Sequence, residues 1–210
     1  MVILIHGAWH GAWVWRRVKT EAMLAPDLDL SADARLSSHV ATIGALIAET
    51  SEPALLVGHS YGAAVAQLAA SGLPERTAGL IALDGFLLRP GQAVIDLVPP
   101  AIRDDWRAQG SMVRPLGVDV MAVKPADRDW VAARLKPHPL RSLTEPASGI
   151  PPYQGKRLYV RATGFAYPPF DRILAHCRRE GWETATVASG HDIMLDKPAW
   201  LSELIEKFAR

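Results

Sequence analysis

One cysteine, Cys177, in a chain of 210 residues leaves no basis for a disulfide framework or a cysteine-based zinc site. No apolar run approaches the roughly 18 residues that a membrane-spanning helix needs, so no membrane partner is expected. Neither sign of charge is in excess: 23 Lys and Arg against 22 Asp and Glu give a net charge of +1. A nucleic-acid-binding domain normally carries a basic face, so that class is excluded as well. The opening MVILIHG has neither the basic region nor the cleavage site of a signal peptide, and a cytoplasmic location is expected. Internal repeats and low-complexity tracts are also missing.

What is present is enough apolar material, 49% of residues, to bury a sizeable core. Short apolar runs alternate with helical periodicity. Val2–Ile5, Ala54–Val57, Gly79–Leu83, Leu158–Ala162 and Thr184–Val187 read as buried strands. Helices are expected over 12–24, along Val40, Ile43, Leu46 and Ile47, over 63–71, over about 170–181 and over 199–208. Ser31 or Asp33 is the expected cap of the second of these. Ala25-Pro26-Asp27 closes a short extended segment. This alternation predicts an α/β fold, a mostly parallel sheet of about six strands with helices on both faces. Prolines crowd the stretch from Phe86 to Gly155, which reads as a helical insertion. The expected division is a core of 1–85 and 155–210 with a cap insertion of 86–154.

Gly58-His59-Ser60-Tyr61-Gly62 fits G-x-S-x-G. It lies between an apolar run and an alanine-rich helix, the setting a nucleophile elbow requires. A serine on so sharp a turn is strained, and a Cβ on either glycine would collide with a neighbouring strand or helix. The turn also sets the Tyr61 N–H at a helix N-terminus, where donors are unpaired. A serine hydroxyl needs a base. Among seven histidines, His191 in Ser189-Gly190-His191-Asp192 is the candidate. It follows the last strand, which a parallel order brings to the same sheet edge as Ser60. His59 should be structural, and His6 and His10 should shape the first glycine loop. His39, His138 and His176 read as surface residues. An oxyanion needs two donors; the Tyr61 N–H and the Ala8 N–H, from the loop His6-Gly7-Ala8-Trp9-His10-Gly11, are the pair expected.

These residues resemble the α/β-hydrolase superfamily, and more narrowly the plant methylesterase and hydroxynitrile lyase group with its bacterial esterase relatives. The shared stretches are HGAWHGAWVW at 6–15, APDL at 25–28, VGHSYGA at 57–63, LDGFLLRPGQ at 83–92 and SGHDIMLDKPAWL at 189–201. The resemblance implies a small helical cap over the site and a Ser–His–acid triad with no metal and no cofactor. The antiparallel hairpin that usually precedes the first central strand is expected to be absent.

The sequence departs from that group at the acid, which usually follows the next-to-last strand. Residues 161–169, RATGFAYPP, contain no carboxylate. Asp84, at the end of the strand after the serine helix, is the favoured acid. Asp171 is the alternative, and a site without a strong acid is a third. Asp192 is too close to His191 in sequence to reach its ring. The lyases need a hydroxyl in the oxyanion loop and a lysine after the histidine; Ala8 and Asp192 stand there instead. The expectation is therefore a serine hydrolase cleaving small carboxylic esters through an acyl-enzyme, with Ser60, His191 and Asp84 as the triad. Trp9 and Phe86 are the candidate substrate contacts. A hydroxynitrile lyase and a non-catalytic ligand-binding protein on the same shell are the alternatives. The partner expected is a small-molecule ester, met by a monomer or homodimer.

Overall fold

The computed structural model describes residues 1–147 and 149–210. Strands β1 (Val2–Ile5) and β2 (Met23–Leu24) come first, then helix α1 (Leu36–Glu49), β3 (Ala54–His59), α2 (Tyr61–Gly72) and β4 (Thr77–Leu83). The next stretch holds α3 (Pro100–Ala108), β5 (Met112–Val113), α4 (Arg128–Ala132), β6 (His138–Pro139) and α5 (Leu140–Thr144). The chain returns to β7 (Arg157–Ala162), α6 (Pro168–Arg179), β8 (Glu183–Val187), α7 (Ile193–Asp196) and α8 (Pro198–Ala209). The main sheet has six strands in the order β2-β1-β3-β4-β7-β8, every pair parallel.

The strands alternate as a two-faced sheet must. Ile3, Ile5, Leu56, Leu80 and Ala82 face one core layer with α1, α2 and α6. Leu4, Leu55, Val57, Ile81 and Leu83 face the other with Trp15 and α8. Helix α2 is buried from Tyr61 to Ser71, and its run of alanines lets the backbone pack close to the sheet. The order reverses at β1, with β2 on one side and β3 on the other. The carboxyl ends of β1 and β3 therefore flank a topological switch point, where open α/β sheets place ligands.

Three expectations need correction. The stretch 12–24 is not a helix but a single 3-10 turn, Ala12–Trp15, followed by β2. The Asp27 carboxylate takes the Ala12 N–H at 2.6 Å, and the fully buried Trp15 fixes the turn against the sheet. Neither Ser31 nor Asp33 caps α1; the Ser31 N–H and hydroxyl are both taken by Asp29 at 2.8 Å, and the Ser38 hydroxyl accepts the Arg35 N–H at 2.9 Å. The stretch read as helical between Phe86 and Gly155 also carries an antiparallel pair, β5 with β6.

Candidate active site

The elbow forms as the glycines dictate. Ser60 joins β3 to α2 at φ 55° and ψ −119°, a conformation that costs a non-glycine residue about 1–3 kcal/mol. A Cβ on Gly58 would lie 2.6 Å from Ala63 Cα and nearer still to the Gly62 carbonyl, and one on Gly62 would lie 2.5 Å from the Ile5 carbonyl of β1. So one glycine admits the helix and the other admits the neighbouring strand. The Ser60 N–H is held by the Leu83 carbonyl at 3.0 Å, and its own carbonyl takes the Phe86 N–H at 3.1 Å.

His191 follows β8 and is 5% exposed. Its Nδ1–H donates to Asp84 Oδ2 at 2.7 Å. The structure thus brings together the favoured acid and the histidine, and leaves Asp171 out. Asp171 is 61% exposed and pairs with Arg161 Nε at 2.8 Å. Asp84, just past β4 at φ 41°, is fully buried. Its Oδ1 accepts from Arg161 Nη1 at 2.8 Å and from the Ala162 N–H at 3.0 Å. The imidazole of His191 is walled by Phe165 and His59, each with ring centroids 4.5 Å away, and by Phe170 at 5.8 Å. The Ser60 hydroxyl and His191 Nε2 have no hydrogen-bond partner among the described residues, and both keep contact with solvent.

The loop after β1 supplies the other wall. His6 Nε2 accepts the Leu28 N–H at 3.0 Å, which assigns the proton to Nδ1. That Nδ1–H donates to the Gly7 carbonyl at 2.9 Å. In a trans peptide the Ala8 N–H points opposite to that carbonyl, so His6 sets the direction of the donor. Neither Ala8 N–H nor Tyr61 N–H donates to a protein group among the described residues. Burial pushes His6 down to about 4, so it stays neutral. His10 faces acceptors on both sides, the Ala8 carbonyl at 2.8 Å and Asp192 at 3.2 Å. Burial opposes its charge, but Asp192 outweighs that and holds its pKa above the ordinary value. Burial likewise works against the Asp192 carboxylate, and His10 together with His59 and His191 holds it well below the usual range.

Trp9 sits in this loop at φ 66°. Its Nε1–H donates to the Val113 carbonyl at 3.0 Å, and its carbonyl takes the Lys136 N–H at 2.9 Å. The His191 N–H is taken by the Met121 carbonyl at 3.0 Å. Both site loops are thereby tied to the 86–154 stretch. Phe86 packs edge-on against Phe170 with centroids 4.9 Å apart.

The fold corrects two more expectations. His39 and His138 are buried, not on the surface. His39 Nδ1 accepts the Tyr61 hydroxyl at 2.8 Å, and the Ser142 hydroxyl pairs with His138 Nε2 at 2.9 Å. Both ring nitrogens of His39 are satisfied, the second by the Asp29 carbonyl at 2.7 Å, whereas His138 Nδ1 is buried without a partner among the described residues. The roles of Arg161, Phe165 and Phe170 were missed in the sequence; only the absence of a carboxylate on 161–169 pointed to that strand. Among the described residues no group of His, Cys, Asp and Glu is arranged to hold a metal ion, and no helix is long and apolar enough to cross a membrane.

Comparison with known proteins bears on this geometry. The model of the alpha/beta hydrolase family matches residues 2–204. The chain belongs to that family. It is 29% identical over a 239-residue alignment to a carbendazim hydrolyzing esterase of Nocardioides sp. strain SG-4G, covering 99% of this chain and 97% of that protein. A solved extracellular alpha/beta-hydrolase from a Paenibacillus species superposes with a TM-score of 0.85 at 19% identity, over 100% of this chain and 98% of the other. Polyneuridine aldehyde esterase superposes with a TM-score of 0.74 at 17% identity, again over 100% and 98%.

Proposed function

We propose that this chain is a carboxylic-ester hydrolase working through a Ser60–His191–Asp84 triad. The observation that carries the reading is the 2.7 Å bond from His191 Nδ1 to a fully buried Asp84, beside a serine held on a strained strand-to-helix turn. That bond fixes the tautomer that leaves Nε2 free to act as a base. Catalytic hydrogen bonds to a nucleophile often tighten only when substrate binds.

Ser60 Oγ attacks the ester carbonyl while His191 Nε2 takes its proton. The charge on the carbonyl oxygen is held by the N–H groups of Ala8 and Tyr61. His191 returns the proton to the leaving alcohol as the C–O bond breaks, which leaves an acyl-Ser60. A water, deprotonated by His191, attacks the acyl carbon and releases the carboxylic acid. Asp84 stabilises the imidazolium in both halves. The stretch 86–154 acts as a cap, and Trp9 and Phe86 line the acyl side. The substrates are small, apolar esters. The esterase from Nocardioides, matched along nearly the whole chain, supports this class.

The test is a rapid-mixing assay with p-nitrophenyl acetate. The wild type should release a burst of one nitrophenolate per chain and be labelled once by an organophosphonate. Ser60→Ala should do neither while melting at the wild-type temperature. A silent wild type, or a Ser60→Ala protein with full turnover, would end the proposal.

A further inference from the structure

On the strand after which the resembling group carries its acid, this chain carries a buried cation. Arg161 is on β7, 3% exposed, and every face of its guanidinium is engaged. Nη1 donates to Asp84 Oδ1 at 2.8 Å and to the Ala162 carbonyl. Nη2 donates to the Phe165 carbonyl at 2.8 Å, and Nε to Asp171 Oδ1 at 2.8 Å. A planar fork held at three corners cannot rotate. With the Ala162 N–H it saturates one oxygen of Asp84, so the other can face only His191. The Phe165 carbonyl bonded to Nη2 belongs to the residue whose ring walls His191. One side chain therefore fixes the acid and part of the histidine's wall.

We propose that Arg161 is a positioning residue, which locks Asp84 toward His191. This rests on the triad reading above. Asp171 on α6 holds the Nε corner, so it bears on Asp84 only through the guanidinium. A lysine at position 161 could keep one bond to Asp84 but not the three-cornered hold, because an ammonium has no planar fork.

The experiment measures kcat and KM for Arg161→Met, Arg161→Lys and Asp84→Asn. Arg161→Met should lose kcat by about 100-fold or more with KM within about threefold, as expected when orientation alone is lost. Arg161→Lys keeps a donor toward Asp84 and should recover part of kcat. If Arg161→Met is too unstable to assay, Arg161→Lys decides: a kcat about tenfold or more below the wild type at unchanged KM supports the proposal, and full kcat overturns it. Unchanged kcat in Arg161→Met while Asp84→Asn is inactive would also overturn it. Full activity in Asp84→Asn would instead remove the triad reading itself.

Discussion

Asp84 and His191 meet at 2.7 Å although a whole strand separates the ones they follow. Asp84 ends β4 and His191 follows β8, with β7 between them in the sheet. The acid must therefore reach across the carboxyl end of β7. It does so where Ala162 and Arg161 supply donors rather than a competing carboxylate. Replacing Asp84 by Asn should leave the fold intact but present a donor where His191 needs an acceptor, selecting the wrong tautomer. A loss on the order of 10³–10⁴ in kcat is expected. Asp171→Asn, which removes an exposed carboxylate from one corner of the buried Arg161, should cost less than about threefold at the pH optimum. Steady-state kinetics on the two variants separates the candidates; the reverse ranking would move the acid to Asp171.

The elbow glycines should matter to stability before they matter to chemistry. An added methyl at Gly58 meets the backbone of α2, and one at Gly62 meets the backbone of β1. Backbone cannot swing aside as a side chain can. Gly58→Ala and Gly62→Ala should each cost at least about 1–3 kcal/mol by overpacking. Gly72, at the end of α2, has nothing within 4 Å of a built Cβ, and Gly72→Ala should be neutral or stabilise by up to about 1 kcal/mol. Urea-unfolding midpoints at constant slope are the measurement. Equal midpoints for all three would contradict the packing described.

Four of the buried histidines predict a loss of stability on the acid side. Burial holds His6 at about 4, and His39, His59 and His138 also lie below the ordinary value for the same reason. A histidine depressed on folding binds its proton better in the unfolded chain. Its stabilisation is complete above about 6.5 and is lost as pH falls toward the folded value. His6 alone is worth on the order of 3 kcal/mol over that window. Denaturation midpoints should therefore drop steeply between about pH 6.5 and 4. A flat profile there would mean that these rings are not buried as described.

Much of the site was legible because its signals are local. G-x-S-x-G between an apolar run and a small-residue helix reports its own geometry, since the glycines answer steric demands within five residues. His191 was legible because strand order puts each carboxyl-end loop at one edge. Asp84 was legible mainly through the resemblance, since some hydrolases of the α/β-hydrolase superfamily carry their acid at the end of the strand that follows the serine helix. Arg161, Phe165 and Phe170 were not legible, because their roles exist only once β7 lies between β4 and β8. His39 and His138 were misplaced for a related reason. A polar side chain reads as exposed unless its partner is known. Tyr61 is 22 residues from His39, and Ser142, four residues from His138, comes within reach only once the chain turns from β6 into α5. The misread turn at 12–15 shows the limit of periodicity where a large buried ring, Trp15, decides the chain's path.

His10 and Asp192 form the remaining testable contact, an ion pair with both members at most 2% exposed. It joins the loop after β1 to the loop after β8, so it spans the site from below. His10 is the one buried histidine whose folded pKa is raised by its partner: burial lowers it, and Asp192 more than compensates. Its contribution is therefore complete below about 6.5 and fades as pH rises through the folded value. Asp192→Asn removes the anion and with it the reason for the elevated pKa. The variant should lose about 3 kcal/mol at pH 6, as expected when one partner of a buried pair is deleted. It should also lose the alkaline decline of stability that the raised His10 predicts for the wild type. His10→Gln should do the same, and the double variant should cost less than the two single losses added, with a coupling of about 1–3 kcal/mol. Additive losses, or an alkaline decline that survives in Asp192→Asn, would show that the two loops are held by something other than this pair.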